Sequence, residues 1–187
     1  KINIKGVEEG DFTFVFGYPG TTKQFLTSDA VNYIQNIEDP TRIKLRTARL
    51  DVYNRAMNES PAQRLRYASK VASVANGWKK WQGEVRGLKR LNAIEKKKAF
   101  EKDFNAWAKN NNKYDNVLTE LKKCYTEMEK LNLSFIYLNE AVFASDLMAQ
   151  VRWVANIISA SENKNEEEVI ALAEKLYHNL KNYYSKD

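Results

Sequence analysis

Asn58-Glu59-Ser60-Pro61 decides how the chain folds. Asn58 and Glu59 close one helical run. Ser60 offers a side-chain oxygen to the free N–H groups of the next helix, and Pro61 occupies a first-turn position where a missing N–H costs nothing. One helix stops and another starts within a few residues, and so short a connection makes the two antiparallel. Upstream, Asp39-Pro40 carries the same signal and predicts a helix to about Met57, and Thr27-Ser28-Asp29 predicts a cap for a short helix to about Ile37. Downstream, a helix is expected from Pro61 to about Leu91, with Gly77, Gly83 and Gly87 inside it. Each interior glycine costs about 1 kcal/mol against alanine, which points to a kink or to a close approach of backbone to another group.

Ala93 to about Asn110 reads as a further helix, broken by Asn110-Asn111-Asn112. Val117, Leu121, Cys124, Met128 and Leu131 then recur at helical steps of four and three. Ser134 is expected to open a long apolar helix through Ile158, and Asn165 with Glu168 resembles a capping box for a last helix to about Tyr184. The fold class is therefore mainly α, an antiparallel bundle-like domain of six or seven helices.

The first 27 residues read differently. Lys1-Ile2-Asn3-Ile4-Lys5 alternates, Phe12-Thr13-Phe14-Val15-Phe16 is aromatic and β-branched, and Gly17-Tyr18-Pro19-Gly20 supplies a tight turn. This predicts a short β-hairpin over residues 1–27 and a helical domain over 28–187. An isolated hairpin is marginal in water, so the strands call for a sheet from elsewhere or for packing on the helices.

Composition sets the remaining bounds. The 187 residues are 43% hydrophobic and 29% charged, with a net charge of +6. No apolar run approaches the roughly 18 residues of a membrane span. The chain opens without Met and without a signal-like apolar core, as expected of a processed or excised piece. Cys124 is the only cysteine and His178 the only histidine. No internal disulfide and no cysteine-rich metal site can form, and Cys124 is expected as a small buried hydrophobe. A nucleophilic mechanism within the chain would have to use His178. No cofactor is implied.

Gly10-Asp11-Phe12-Thr13-Phe14-Val15-Phe16-Gly17-Tyr18-Pro19-Gly20-Thr21-Thr22 is similar to a signature of the bacterial dipeptidyl-peptidase 7 and 11 family. Four more stretches resemble the same family in order and spacing: Phe25-Leu26-Thr27-Ser28, Tyr67-Ala68-Ser69-Lys70, Asn76-Gly77-Trp78-Lys79, and Arg86-Gly87-Leu88-Lys89-Arg90-Leu91-Asn92. The likeness covers residues 1–107 well and is diffuse beyond. It implies a serine exopeptidase of the periplasm or cell surface, releasing dipeptides from peptide N-termini. In such enzymes a chymotrypsin-like double β-barrel is joined to an inserted helical domain that covers the cleft. Residues 1–27 would then be barrel strands and 28–187 the helical cap. The family's catalytic His, Asp and Ser match nothing in this chain, so it is expected to be inactive alone. The implied partners are peptides with a free N-terminus, with no nucleic acid and no membrane span. Oligomerisation through the exposed strand edge stays open.

The resemblance also implies a binding site. Asn76 matches an asparagine that helps hold the substrate α-amino group, and an amide oxygen can accept from an ammonium. Gly77 departs from the aromatic common at its position. Trp78 and Trp81, three residues apart, either line the cleft or belong to the core. Tyr67 lies two and a half turns before Asn76, on the opposite side of a straight helix, so only a kink would bring both to one cleft. The segment Lys79–Lys102 holds nine basic and three acidic residues. One use is a helical interaction module binding a protein or polyanion; the other is a solvated face in which Glu84, Glu95 and Glu101 pair with neighbours. Glu166-Glu167-Glu168 complements a helix N-terminus rather than a metal.

Overall fold

A computed structural model describes residues 6–14, 16–17, 20–111, 114–163 and 165–184. Its elements are α1 (Ser28–Tyr33), a π-helical turn (Ile34–Glu38), α2 (Asp39–Glu59), α3 (Pro61–Arg90), α4 (Ala93–Asn111), α5 (Val117–Tyr137), a second π-helical turn (Leu138–Val142), α6 (Asp146–Glu162) and α7 (Glu166–Tyr184). The mainly α class is as expected. Ser60 caps as its sequence requires: its Oγ accepts from the Gln63 N–H at 3.2 Å, and its carbonyl accepts from the Arg64 N–H at 3.0 Å. Helices α2 and α3 then run antiparallel along their length, with the Tyr53 ring 5.6 Å from Tyr67 near the turn and Arg42 5.3 Å from the Trp81 ring near the far end.

Asp39-Pro40 does not start a new helix. The chain stays helical from Ser28 to Glu59, and Pro40 is absorbed by the preceding π-turn. The Asp39 N–H bonds the carbonyl of Ile34, five residues back. Proline removes one N–H and crowds the carbonyl four residues before it. A locally widened turn relieves both problems without ending the helix. At the other boundary Thr27 does cap α1, accepting from the Ala30 N–H at 3.3 Å. Glu101 of α4 adds a second cap, its two oxygens accepting from the Ser28 N–H at 2.5 Å and the Ser28 hydroxyl at 2.6 Å. A carboxylate at a helix N-terminus is favoured by the free N–H groups and by the dipole.

Ser134 does not open a helix either. It lies inside α5, where its hydroxyl donates to the Lys130 carbonyl at 3.1 Å, the usual side-chain use for a mid-helix serine. The break falls later, between Phe143 and Ser145. The last helix starts as expected: Asn165 Oδ1 accepts from the Glu168 N–H at 3.1 Å, while Asn165 Nδ2 donates to the Glu168 carboxylate at 2.9 Å.

The strand pair over residues 1–27 is not formed among the described residues. Lys1–Lys5, Val15, Tyr18 and Pro19 lie outside them. Phe12 and Phe16 are each 90% exposed, as unpaired β-type sequence is when no sheet flanks it. Cys124 is also exposed, contrary to expectation. Helix α5 packs through Ile136, fully buried, and through Asn132, whose Nδ2 donates to the Tyr33 hydroxyl at 2.8 Å. The stripe Val117-Leu121-Met128-Leu131 stays largely exposed with Cys124. Helical periodicity marks an apolar face but not whether this chain covers it.

The buried apolar residues concentrate where α1 and α2 meet α3 to α5: Ala30, Val31, Tyr33, Ile34, Leu50, Val74, Ala108 and Ile136. Helices α6 and α7 pair with each other, Lys175 lying 4.6 Å from the Trp153 ring.

Asp39 is 3% exposed, and its Oδ2 has no hydrogen-bond partner. Burial, then the nearby Glu84 carboxylate, push its carboxyl up from 3.8 to about 7, against the pull of Lys80 and Arg42. A folded-state value above the unfolded one means the native chain holds the extra proton. The resulting stability is fully present below about pH 4 and is lost as pH rises through 7. In thermal unfolding from pH 4 to 8, Asp39→Asn should match the wild type at pH 4. It should be more stable by several degrees at pH 8. Parallel curves at all pH values would place the carboxyl in an ordinary solvated state.

Candidate functional site

A buried polar cluster joins α2, α3 and the second π-turn. Arg42, Arg46 and Arg49 stand at i, i+4 and i+7 on α2, one helix face. They converge on Glu140, which is 5% exposed. Arg46 grips it bidentately, Nε to Oε2 at 2.9 Å and Nη2 to Oε1 at 2.8 Å. Arg49 reaches Oε2 at 3.3 Å and Arg42 reaches Oε1 at 3.6 Å, while Glu38 takes the other end of Arg42 at 3.2 Å. Glu140 sits in the second π-turn, where the Phe143 N–H bonds the Leu138 carbonyl five residues back at 2.8 Å. One extra residue in the register rotates the downstream side chains by about 100° around the axis. The same turn also ends α5 beside α2.

The cluster reaches α3. Arg46 Nη1 donates to the carbonyl of Val74 at 3.1 Å, and its guanidinium lies 4.3 Å from the Trp81 ring centre. A Cβ on Gly77 would overlap Arg46 Nη1 and lie 3.1 Å from Cζ. Gly77 is therefore the close approach expected of the glycine-bearing helix. Gly83 and Gly87 face open space and have no such role. Helix α3 continues without interruption from Pro61 to Arg90, so the kink is not needed and not present as a break.

The sequence-derived site residues separate into two groups. Tyr67 is half-buried against Tyr53 of α2. Trp78 is half-buried, its indole N–H donating to Thr47 Oγ1 of α2 at 2.9 Å. Both rings thus turn toward α2, and so does Trp81. Asn76 is exposed, between the backbone points at 74 and 77 that Arg46 touches. Sequence reading missed the arginine–glutamate cluster. Its signal was the i, i+4, i+7 arginine spacing, but the partner lies 94 residues away from Arg46.

The basic segment is salt-laced. Lys80 pairs with Glu84, and Lys98 pairs with Glu95 at 2.8 Å, whereas Glu101 serves Ser28 instead of a neighbouring lysine. A groove of about 590 Å³ between α4 and α5 is lined by Lys98, Lys102, Lys109 and Lys122, with Asp29 and Glu101 among them. Its mixed sign does not make a phosphate-tracking surface. His178 is exposed on α7 beside Tyr177. Among the described residues no three His, Cys, Asp or Glu side chains come together as a metal set, and no helix is long and apolar enough to cross a membrane.

A family model described as Peptidase S46 matches residues 1–187. The chain is 46% identical over 144 residues to an Asp/Glu-specific dipeptidyl-peptidase of Flavobacterium psychrophilum, covering 75% of this chain and 20% of that one. It is 39% identical over 170 residues to an Asp/Glu-specific dipeptidyl-peptidase of Capnocytophaga gingivalis, covering 89% of this chain and 24% of that one. It is 35% identical over 164 residues to dipeptidyl-peptidase 7 of Porphyromonas gingivalis, covering 86% and 23%. The crystal structure of Porphyromonas endodontalis DPP11 in complex with the dipeptide Arg-Glu superposes with a TM-score of 0.69 at 29% identity, over 96% of this chain and 27% of that one. The chain thus spans about a quarter of the length of these relatives or less.

Removing one partner from a buried ion pair leaves an uncompensated charge and costs about 3–5 kcal/mol. Glu140→Gln keeps the shape and removes the charge that three arginines share. It is expected to destabilise the helical unit by about 3 kcal/mol in urea unfolding followed by circular dichroism. A loss under about 0.5 kcal/mol, the size expected of a surface change, would show that solvent already neutralises the cluster.

Proposed function

Because the chain belongs to the peptidase S46 family, we propose that it forms the helical cap of a serine dipeptidyl-peptidase and reads the free N-terminus of the peptide. In this reading residues 1–27 belong to the catalytic β-barrel and residues 28–187 to the cap. The nucleophile and its acid–base partners come from the rest of the enzyme, and the whole acts at the bacterial periplasm or cell surface.

The observation that carries the proposal is the placing of Asn76. Its neighbours are committed to α2, Val74 through its carbonyl to Arg46 and Trp78 through its indole to Thr47. Asn76 alone among the three sequence-derived site residues is exposed. An exposed amide oxygen carried on an ordered helix can accept from an ammonium. A dipeptidyl-peptidase must measure two residues from a charged terminus, and one fixed acceptor at the right distance does that. Trp78 and Tyr67 would then support the platform from the α2 side.

A hydrogen bond to a charged group contributes about 1.5–3 kcal/mol, or about ten- to a hundredfold in kcat/KM. In the full-length enzyme, Asn76→Ala should lower kcat/KM on a dipeptidyl substrate by that factor. It should leave the N-acetylated form of the same substrate unaffected. Equal activity of wild type and Asn76→Ala on the free-amine substrate, with folding intact, would remove Asn76 from the site and reduce the cap to a steric cover.

A further inference from the structure

Asn76 is held from below. Arg46 approaches α3 at two points that bracket it. On one side Nη1 donates to the Val74 carbonyl at 3.1 Å. On the other the guanidinium fills the space that a side chain at residue 77 would need. The Val74 carbonyl is the one an α-helix offers to the N–H of residue 78, so Arg46 uses its second lone pair without breaking the helix. Arg46 itself has little freedom. Glu140 grips it bidentately at 2.8 and 2.9 Å, and Trp81 covers its face at 4.3 Å. The bidentate fork fixes the plane of the guanidinium as well as its position.

We propose that Arg46, clamped by Glu140, is a positioning residue that sets the height and direction of Asn76 toward the substrate α-amino group, and that Gly77 is glycine to admit it. The inference rests on the reading of Asn76 as the ammonium ligand and adds what aims it. An arginine is required because a lysine offers a point charge with no planar fork to bridge Glu140 and the Val74 carbonyl together. Displacement of α3 by even a fraction of an ångström here would move the amide oxygen relative to the scissile bond, and binding groups lose rate steeply with misplacement of about 1 Å.

The experiment is a double-mutant cycle in the full-length enzyme. Wild type, Arg46→Lys, Asn76→Ala and the double variant are compared on free-amine and N-acetylated dipeptidyl substrates, with thermal unfolding of each. Arg46→Lys is expected to lower kcat/KM on the free-amine substrate about tenfold and to leave the acetylated substrate unchanged. In the Asn76→Ala background the same substitution should have no further effect. Gly77→Ala, which displaces the guanidinium without removing its charge, should reproduce the Arg46→Lys pattern and serves if Arg46→Lys does not fold. Full additivity of Arg46→Lys and Asn76→Ala, or an equal loss on both substrates, would show that Arg46 acts on the fold alone and overturn the proposal. If Asn76→Ala by itself leaves the discrimination between the two substrates intact, the ammonium reading fails first and the positioning role falls with it.

Discussion

The Arg46 guanidinium is the contact on which the rest of the structure depends. From α2 it reaches two other elements at once: the π-turn after α5 through Glu140, and α3 through the Val74 carbonyl and Trp81. Among the described residues few apolar side chains are fully buried, so apolar packing alone does not hold the helices in place. The hydrophobic contribution comes from the small cluster around Ile34, Leu50, Val74 and Ile136. The ionic cluster adds direction. Apolar packing tolerates sliding of one helix along another, whereas a bidentate pair with a backbone acceptor has one register. Desolvation offsets most of the attraction in a buried ion pair, although removing one partner is costly.

Both π-turns stand next to this cluster, and each has a separate cause. The first accommodates Pro40 and lets α1 and α2 run on without a break, with Asp39 buried. The second ends α5 and holds the buried Glu140. Widened turns are uncommon and recur where function or packing needs a residue out of register. Here one precedes the buried Asp39 at the start of α2 and the other sets Glu140 against the arginines of α2. Asp39 is raised toward neutrality by burial, while Glu140 is met by three cations. The two carboxyls thus satisfy the same constraint, that a buried charge be paired or discharged, in opposite ways.

Away from the cluster the surface is less finished. The outer faces of α5, α6 and α7 expose Leu131, Val151, Ile158, Ile170 and Tyr177, and the segment before α1 exposes Phe12, Phe14, Phe16 and Phe25. The matched region makes up 20%, 24% and 27% of these Peptidase S46 relatives.

The helical class, the turn at Ser60-Pro61, the cap at Thr27 and the capping box at Asn165 were all determined by the sequence. Each rests on the chemistry of residues within four positions of one another, and such signals need no knowledge of the rest of the chain. The close approach at Gly77 was half legible: glycine in a helix announces a neighbour but does not name it. What tertiary structure alone decided was which neighbour came. Arg46 and Glu140 are 94 residues apart. The continuity of α1 through Pro40, the exposure of Cys124 and the inward turn of Trp78 depend in the same way on what lies across a helix interface. Periodicity tells which side of a helix is apolar or charged. Only packing tells which side is covered, because burial is a property of the pair of surfaces and not of either one.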